Sequence, residues 1–147
     1  MVSNLQVVIR LVLSVILGGF IGLERQMHRR TAGLRTHILV SLGSCLIMLT
    51  SLYIFAIYKN EAPVDPARIA AGVITGIGFL GAGAIIRDRA GVKGLTTAAS
   101  LWVVAGIGLS AGCGFYSASI VTTLLALTVL FFLRHIEEKM FGREEKE

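Results

Sequence analysis

Five apolar stretches, separated by short polar loops, make up nearly all of this sequence. A helix that crosses the ~30 Å hydrocarbon core of a membrane needs about 20 mostly apolar residues at 1.5 Å rise per residue. Each stretch has or approaches that length, and none shows the polar face of a helix on a soluble domain. The sequence therefore predicts an all-α membrane protein, a bundle of five transmembrane helices. The predicted spans are residues 5–23, 36–58, 69–86, 95–112 and 115–133.

In this interpretation residues 1–133 form one transmembrane domain, and residues 134–147 form a short charged cytoplasmic tail. We therefore expect no soluble catalytic domain. The three histidines and the scattered hydroxyl residues suggest no nucleophile paired with a base. Cys45 and Cys113 should lie at different membrane depths and stay free thiols. We expect no enzyme activity, no cofactor and no metal site.

Basic residues are unevenly distributed between the loops. Of the 14 lysine and arginine residues, all but Arg10, Lys59 and Arg68 lie in the loop between spans 1 and 2, the loop between spans 3 and 4, or the tail. The positive-inside rule then predicts an outside N-terminus and a cytoplasmic C-terminus. The same clustering explains the net charge of +5, so we expect no nucleic-acid partner. Arg10, the one charge within a span, is expected to snorkel to the outer headgroups.

Many of the 17 glycines lie inside the spans. Glycines four residues apart let helices approach closely in a membrane, which predicts tight packing and makes span 3 the buried central helix. The alternative is a kinked segment that lines a cavity. The sequence from Gly76 to Gly81 also matches a dinucleotide-binding fingerprint, but it lacks the strand–helix context that gives the motif meaning. The predicted packing glycines are Gly18, Gly22, Gly72, Gly76, Gly78, Gly81 and Gly83.

Charged residues converge on the predicted cytoplasmic rim. They could anchor the helices at the interface, form an ion-pair network, or bind an anionic ligand or lipid headgroup. We specifically expect Glu24 to lie near Arg35, Arg87 or Arg89. Hydroxyl side chains at the start of span 4 could cap that helix or hydrogen-bond across helices. The candidate rim residues are Glu24, Arg25, Arg35, Arg87, Asp88 and Lys93, and the candidate hydroxyl residues are Thr96, Thr97 and Ser100.

No aspartate or glutamate lies in the middle of a span. Mg²⁺ prefers hard oxygen ligands and loses its water reluctantly. The sequence therefore argues against a Mg²⁺ pathway lined with acids, although a pore lined by carbonyl or hydroxyl groups stays open as an alternative.

Several of these residues fall in motifs that resemble the MgtC/SapB family of bacterial inner-membrane proteins, over about residues 5–130. Family members often have Asn where Thr96 stands and Cys where Val103 stands, so roles of those side chains do not carry over. The matching motifs are Gly22-Leu23-Glu24-Arg25-Gln26, Ala32-Gly33-Leu34-Arg35-Thr36, Arg68-Ile69-Ala70-Ala71, Gly76-Ile77-Gly78-Phe79-Leu80-Gly81-Ala82-Gly83, Lys93-Gly94-Leu95-Thr96-Thr97-Ala98-Ala99-Ser100-Leu101-Trp102 and Ala105-Gly106-Ile107-Gly108.

The resemblance implies a multi-pass protein of the bacterial inner membrane that is linked to growth in low Mg²⁺, to virulence and to restraint of the F-type ATP synthase. We expect a regulatory protein that acts through helix–helix contacts in the lipid bilayer. Its expected partners are itself, as a homodimer or higher oligomer, and a larger membrane complex such as that synthase. The alternative is a cation (Mg²⁺) transporter or channel that works as an oligomer.

Overall fold

Five helices in the described part of the chain are long and apolar enough to cross a membrane. The computed structural model describes residues 2–89 and 91–133, together with residues 136 and 139, but not the side chain of Asp88. The predicted tail, 134–147, thus lies almost wholly outside the described residues. The helices are α1 (Asn4–Met27), α2 (Leu34–Tyr58), α3 (Pro66–Ala84), α4 (Leu95–Cys113) and α5 (Tyr116–Thr128), and a π-helical turn (Val129–Leu133) extends α5.

Large apolar side chains cover the outside of this bundle. A soluble monomer rarely exposes large contiguous apolar patches, because they drive association in water. In a bilayer the same side chains meet acyl chains instead, so the exposed apolar surface agrees with the membrane spans that the sequence predicts. Examples are Leu5, Phe20, Phe79, Trp102 and Leu125.

The loop between α3 and α4 forms a short β-hairpin. Strands β1 (Ile86–Asp88) and β2 (Gly91–Lys93) pair antiparallel. The predicted span 3 therefore ran two residues too far, because an apolar pair can continue a helix or begin a strand. Gly94 follows the hairpin with φ +91°, and a Cβ at this position would collide with the Ala84 carbonyl oxygen. Glycine is required there by both backbone conformation and space.

Helix α4, rather than α3, is the central helix. It packs against α1, α2, α3 and α5, and 50% of its apolar window is buried, compared with 11% for α3. The prediction of a buried, central span 3 is therefore wrong. Glycine spacing marks a surface that permits close approach, but it does not identify the helix that will use that surface.

Two pairs of glycines bring α1, α2 and α4 together. A Cβ on Gly18 would lie 2.6 Å from the Ser41 Cβ, and one on Gly22 would lie 2.8 Å from the Leu34 Cα. Between α2 and α4, a Cβ on Gly108 would collide with the Ser41 carbonyl oxygen, and one on Gly112 would lie 2.7 Å from the Cys45 carbonyl oxygen. The predicted packing role is correct for α1, whereas the pair in α4 was not among the seven predicted packing glycines.

The glycines of α3 behave differently. Gly81 makes an ordinary contact, with its Cβ position 3.6 Å from the Ala98 Cβ. At the other four predicted packing positions, no described residue comes within 4 Å of the Cβ position, so the prediction of tight packing within this chain is wrong there. These positions are Gly72, Gly76, Gly78 and Gly83.

Arg10 joins α1 to the end of α4 instead of snorkelling to the surface. It is 9% exposed, and its Nη1 donates a hydrogen bond of 2.8 Å to the Gly112 carbonyl oxygen. Its Nε lies 3.3 Å from the Tyr116 hydroxyl oxygen. The last carbonyls of a helix lack intrahelical partners and carry the negative end of the helix dipole, so a cation there is favourable. The snorkelling expectation for Arg10 is wrong.

Candidate functional site

The basic end of the bundle, where α1 ends and α2 begins, contains a buried acid. The Glu24 side chain is 10% exposed, and its Oε2 lies 3.4 Å from Nη1 of Arg25, whose side chain is 4% exposed. Its Oε1 lies 2.9 Å from Nδ1 of His28. Oε2 itself accepts no hydrogen bond from any described residue. A carboxylate in the last turn of a helix opposes the helix dipole, so helix stability alone does not explain Glu24.

Glu24 does not form the network that we predicted with the basic residues of α2 and the hairpin. Within the described residues Glu24 forms an ion pair with Arg25 and contacts His28, both in its own helix region. The physical reason is the direction of the side chains. Glu24 faces α4 and the end of α5, whereas the side chains of the three predicted partners are exposed on the surface of the bundle. Those partners are Arg35, Arg87 and Arg89.

The remaining rim residues are divided between the interior and the surface. Arg25 is buried beside Glu24, and Lys93 ends β2 with an exposed side chain. Asp88 pairs with Gly91 in the hairpin register, and its side chain lies outside the description. The structure therefore brings together Glu24 and Arg25 but separates them from the other predicted rim residues that it describes.

A crevice runs from Glu24 between α1, α4 and α5. Its outer part, about 270 Å³, is lined by Glu24, Arg25 and Arg30. Its deeper part, about 310 Å³, is lined by Ser100 and Thr122 among apolar residues. Thr96 lines both parts. The structure thus places two of the three predicted hydroxyl residues in one crevice with the buried acid.

Ser100 also takes part in a buried polar contact between α2 and α4, to which Thr97, the third predicted hydroxyl residue, contributes its backbone carbonyl. His37 is fully buried. Its Nδ1 lies 2.9 Å from the Gly33 carbonyl oxygen, and its Nε2 lies 3.0 Å from the Ser100 Oγ. Ser100 can also donate to the Thr97 carbonyl oxygen at 2.8 Å. A carbonyl only accepts hydrogen bonds, so the Nδ1 must carry a proton.

Ser100 has one proton for two acceptors, which makes this contact adaptable. In a neutral His37 the unprotonated Nε2 accepts from the Ser100 hydroxyl. In a doubly protonated His37 the Nε2 would donate to Ser100, whose own proton would then go to Thr97. Two features of the sequence point to His37. It is a histidine one turn inside an otherwise apolar span, and the start of another span, at the same end of the bundle, is rich in hydroxyl residues.

The basic end offers few ligands for a metal ion. No group of three or more His, Cys, Asp or Glu side chains in the described part of the chain is arranged to hold one. Cys45 is buried and Cys113 is exposed, and both are free thiols, as predicted. The expected difference in membrane depth is wrong, because Gly112, the residue before Cys113, packs against the backbone of Cys45. The arrangement can bind a hydrogen-bond donor at Glu24, and His37 joins α2 to α4 through its contact with Ser100.

Comparison with known proteins identifies the family. The model of the MgtC family matches residues 11–139. The "Putative magnesium transporter YhiD" of Escherichia coli K12 is 47% identical over 138 residues, which cover 92% of this chain and 64% of that protein. Protein MgtC of Salmonella typhimurium LT2 is 40% identical over 133 residues, covering 90% and 54%.

The chain spans about half to two thirds of the length of these relatives. An uncharacterised protein of Haemophilus influenzae is 38% identical over 122 residues, which cover 80% of this chain and 51% of that protein. No solved structure matches the chain. Because the family model covers most of the sequence and agrees with five membrane-spanning helices, this multi-pass membrane protein belongs to the MgtC family.

Proposed function

We propose that this protein is a non-enzymatic regulator in the bacterial inner membrane that serves Mg²⁺ homeostasis through contacts with a partner membrane complex. The observation that carries the proposal is the glycine-mediated closure of the core. At Gly18, Gly22, Gly108 and Gly112 the backbones of α1, α2 and α4 approach so closely that a Cβ would collide. A hydrated ion has no room between these three helices at those levels.

The link to Mg²⁺ rests on membership of the family and on the name of the E. coli relative. The proposed partners are a second copy of the chain and a larger complex, with the F-type ATP synthase as the candidate implied by family resemblance. Helix–helix contacts suit this role, because association of helices in a bilayer depends on packing rather than on burial of apolar surface from water.

A second candidate function is cation transport or conduction by an oligomer. The observation that favours it is Glu24, a carboxylate about nine-tenths buried at the end of a crevice, with one oxygen that accepts no hydrogen bond from the part of the chain that the structure describes. Buried acids of this kind mark ion pathways in many membrane proteins. In this alternative, the crevice between α1, α4 and α5 would form part of the path.

A flux assay separates the two functions. The purified chain is reconstituted in liposomes that contain a Mg²⁺-sensitive dye, and Mg²⁺ entry is compared with empty liposomes and with liposomes that contain an ionophore. The regulatory function predicts entry equal to that of empty liposomes, while the same protein restores growth of a deletion strain in low Mg²⁺. Mg²⁺ entry that requires the chain and disappears in Glu24→Gln would overturn the regulatory proposal in favour of transport.

A further inference from the structure

A wide apolar groove lies between α2 and α3, away from the crevice at Glu24. Its volume is about 750 Å³, and its lining includes Gly43, Gly72 and Gly76. No described residue comes within 4 Å of the Cβ position of any of these three glycines. At these three positions the groove is lined by bare backbone, and in a membrane another molecule must fill the space above it.

The groove exists because α3 is held by different neighbours at its two ends. Near its start, the Ser51 hydroxyl of α2 donates to the Pro66 carbonyl oxygen. Further along, Ile77 is buried in a cluster with Leu101 of α4, and Gly81 contacts Ala98. Helix α3 thus leaves α2 and leans on α4 as it approaches the basic end, which opens a wedge on the α2 side.

The length of the groove matches one leaflet of a bilayer. On α2 its lining runs from Arg35 to Ile47, which at 1.5 Å per residue is about 18 Å. Half of a ~30 Å hydrocarbon core is about 15 Å. A transmembrane helix of a partner would need a docking surface through the whole core, whereas an acyl chain needs one leaflet. The dimensions favour a lipid over a second helix.

A positive charge stands at the headgroup end of the groove. Arg35 and Thr36 both line it, and both lie in the first turn of α2. The exposed guanidinium of Arg35 forms no ion pair with a described residue. The start of a helix carries the positive end of its dipole and favours phosphate. A lipid phosphate there would meet the guanidinium, a hydroxyl and the helix terminus together.

We propose that the groove is a binding site for one anionic phospholipid, with an acyl chain against Gly43, Gly72 and Gly76 and the phosphate at Arg35. A bound lipid fills the wedge that protein side chains leave empty and fixes the angle between α2 and α3. The exposed basic residues of the hairpin attract anionic lipids to the same surface but do not line the groove. This inference is independent of the proposed regulatory function.

The retention of lipid by the purified protein tests the proposal directly. The purified chain in mild detergent is titrated with phosphatidylglycerol or with phosphatidylcholine of identical acyl chains, and bound lipid is counted by native mass spectrometry. The wild type should retain one phosphatidylglycerol with a preference of about fivefold, as expected for one arginine beside a headgroup of net negative charge. Phosphatidylcholine carries the same phosphate, but its choline cation cancels that charge and repels the guanidinium. Arg35→Gln should abolish the preference, and the control Arg89→Gln should keep it.

Substitutions in the groove test the acyl chain. Gly76→Leu should lower retention of both lipids severalfold, because it fills the groove. Gly83→Leu is the matched control, since its Cβ position is equally open but lies outside the groove. If Gly76→Leu does not fold, Gly72→Leu replaces it. Retention equal to that of the control would overturn the proposal.

A cysteine test distinguishes a lipid from a second copy. Gly72→Cys and Gly83→Cys are made in a chain whose two native cysteines are replaced by serine, and the membranes are oxidised. The lipid proposal predicts no disulfide-linked dimer through position 72. Efficient dimer formation there, and not at position 83, would show that a second copy occupies the groove and would overturn the proposal.

Discussion

Gly18 and Gly22 of α1 have the same spacing as Gly72 and Gly76 of α3, and the fold uses the two pairs in opposite ways. The α1 pair lies against α2, with a Cβ position as close as 2.6 Å to a neighbouring atom. The α3 pair has no described atom within 4 Å of either Cβ position. The comparison teaches that glycine spacing permits close packing, but a neighbour with a matching surface must still be available.

The largest expected effect comes from filling the closest contact of the core. Gly108→Leu would force a side chain against the Ser41 carbonyl oxygen of α2. Because that oxygen belongs to a helix backbone, the clash cannot be relieved by a side-chain rotation. We expect a loss of about 3 kcal/mol in the free energy of unfolding, measured by denaturant titration in detergent micelles. Gly106→Leu, on the same helix but in open space, should change it by less than ~0.5 kcal/mol. Equal losses in both variants would remove the distinction between packed and open glycines.

Arg10 tests whether a polar link contributes to the same core. Arg10→Leu removes the hydrogen bond to the Gly112 carbonyl oxygen and leaves the end of α4 without its cation. Hydrogen bonds to charged groups contribute about 1.5–3 kcal/mol, so we expect a loss in that range in the same titration. Lys59→Gln, which alters a cation at the same end of the bundle, is the control and should be nearly neutral. A neutral Arg10→Leu would show that the guanidinium is not needed to join α1 to α4.

The contact between His37 and Ser100 should show a smaller, pairwise effect. A double-mutant cycle with His37→Ala and Ser100→Ala should give a coupling energy of about 0.6 kcal/mol, and at most about 1.7 kcal/mol, as for other hydrogen bonds between membrane helices. The same cycle between His37→Ala and Thr128→Ala, whose hydroxyl bonds within α5, should be additive. Additivity of His37 with Ser100 would contradict a stabilising contact between α2 and α4.

The smallest effect is expected on the open face of α3. Gly78→Leu should change the free energy of unfolding by less than ~0.5 kcal/mol, because its Cβ position meets no described residue. The measurement is the same titration, with Gly22→Leu as the reference for a packed glycine. A loss of about 1–3 kcal/mol for Gly78→Leu would indicate that another copy or another protein packs on this face. The glycines of α3 would then be packed, as those of α1 are, although by a different neighbour.

The spans could be predicted from the sequence because each is a long apolar run that is recognisable without reference to the rest of the chain. The predicted positions agree with the five helices to within a few residues. The hairpin was missed, since Ile86 is equally compatible with a helix end and a strand start. The N-outside orientation rests on loop charge and stays a prediction.

The candidate site was harder to predict from the sequence, because it depends on which side chains of neighbouring helices point towards each other. Glu24, Arg25, Thr96 and Ser100 were singled out from the sequence, but the partners expected for Glu24 were wrong. The predicted site and packing residues did not include His37 or the α4 glycines 108 and 112, although all three lie in the packed core. The membrane depth of a residue can be estimated from its distance in sequence to a loop. The side of the helix that faces the rest of the bundle depends instead on helices elsewhere in the chain.

The sequence by itself determined the environment, the number of spans and the concentration of charge at one end, because apolar length and loop charge are local properties that act on each segment separately. Only the tertiary structure decided that α4 is central, that Arg10 turns inward to Gly112 and that the glycines of α3 stay open. Those outcomes depend on which surfaces meet when five helices of similar hydrophobicity compete for a few close contacts. In a bilayer, where lipid competes equally for every apolar face, shape complementarity and hydrogen bonds make that selection.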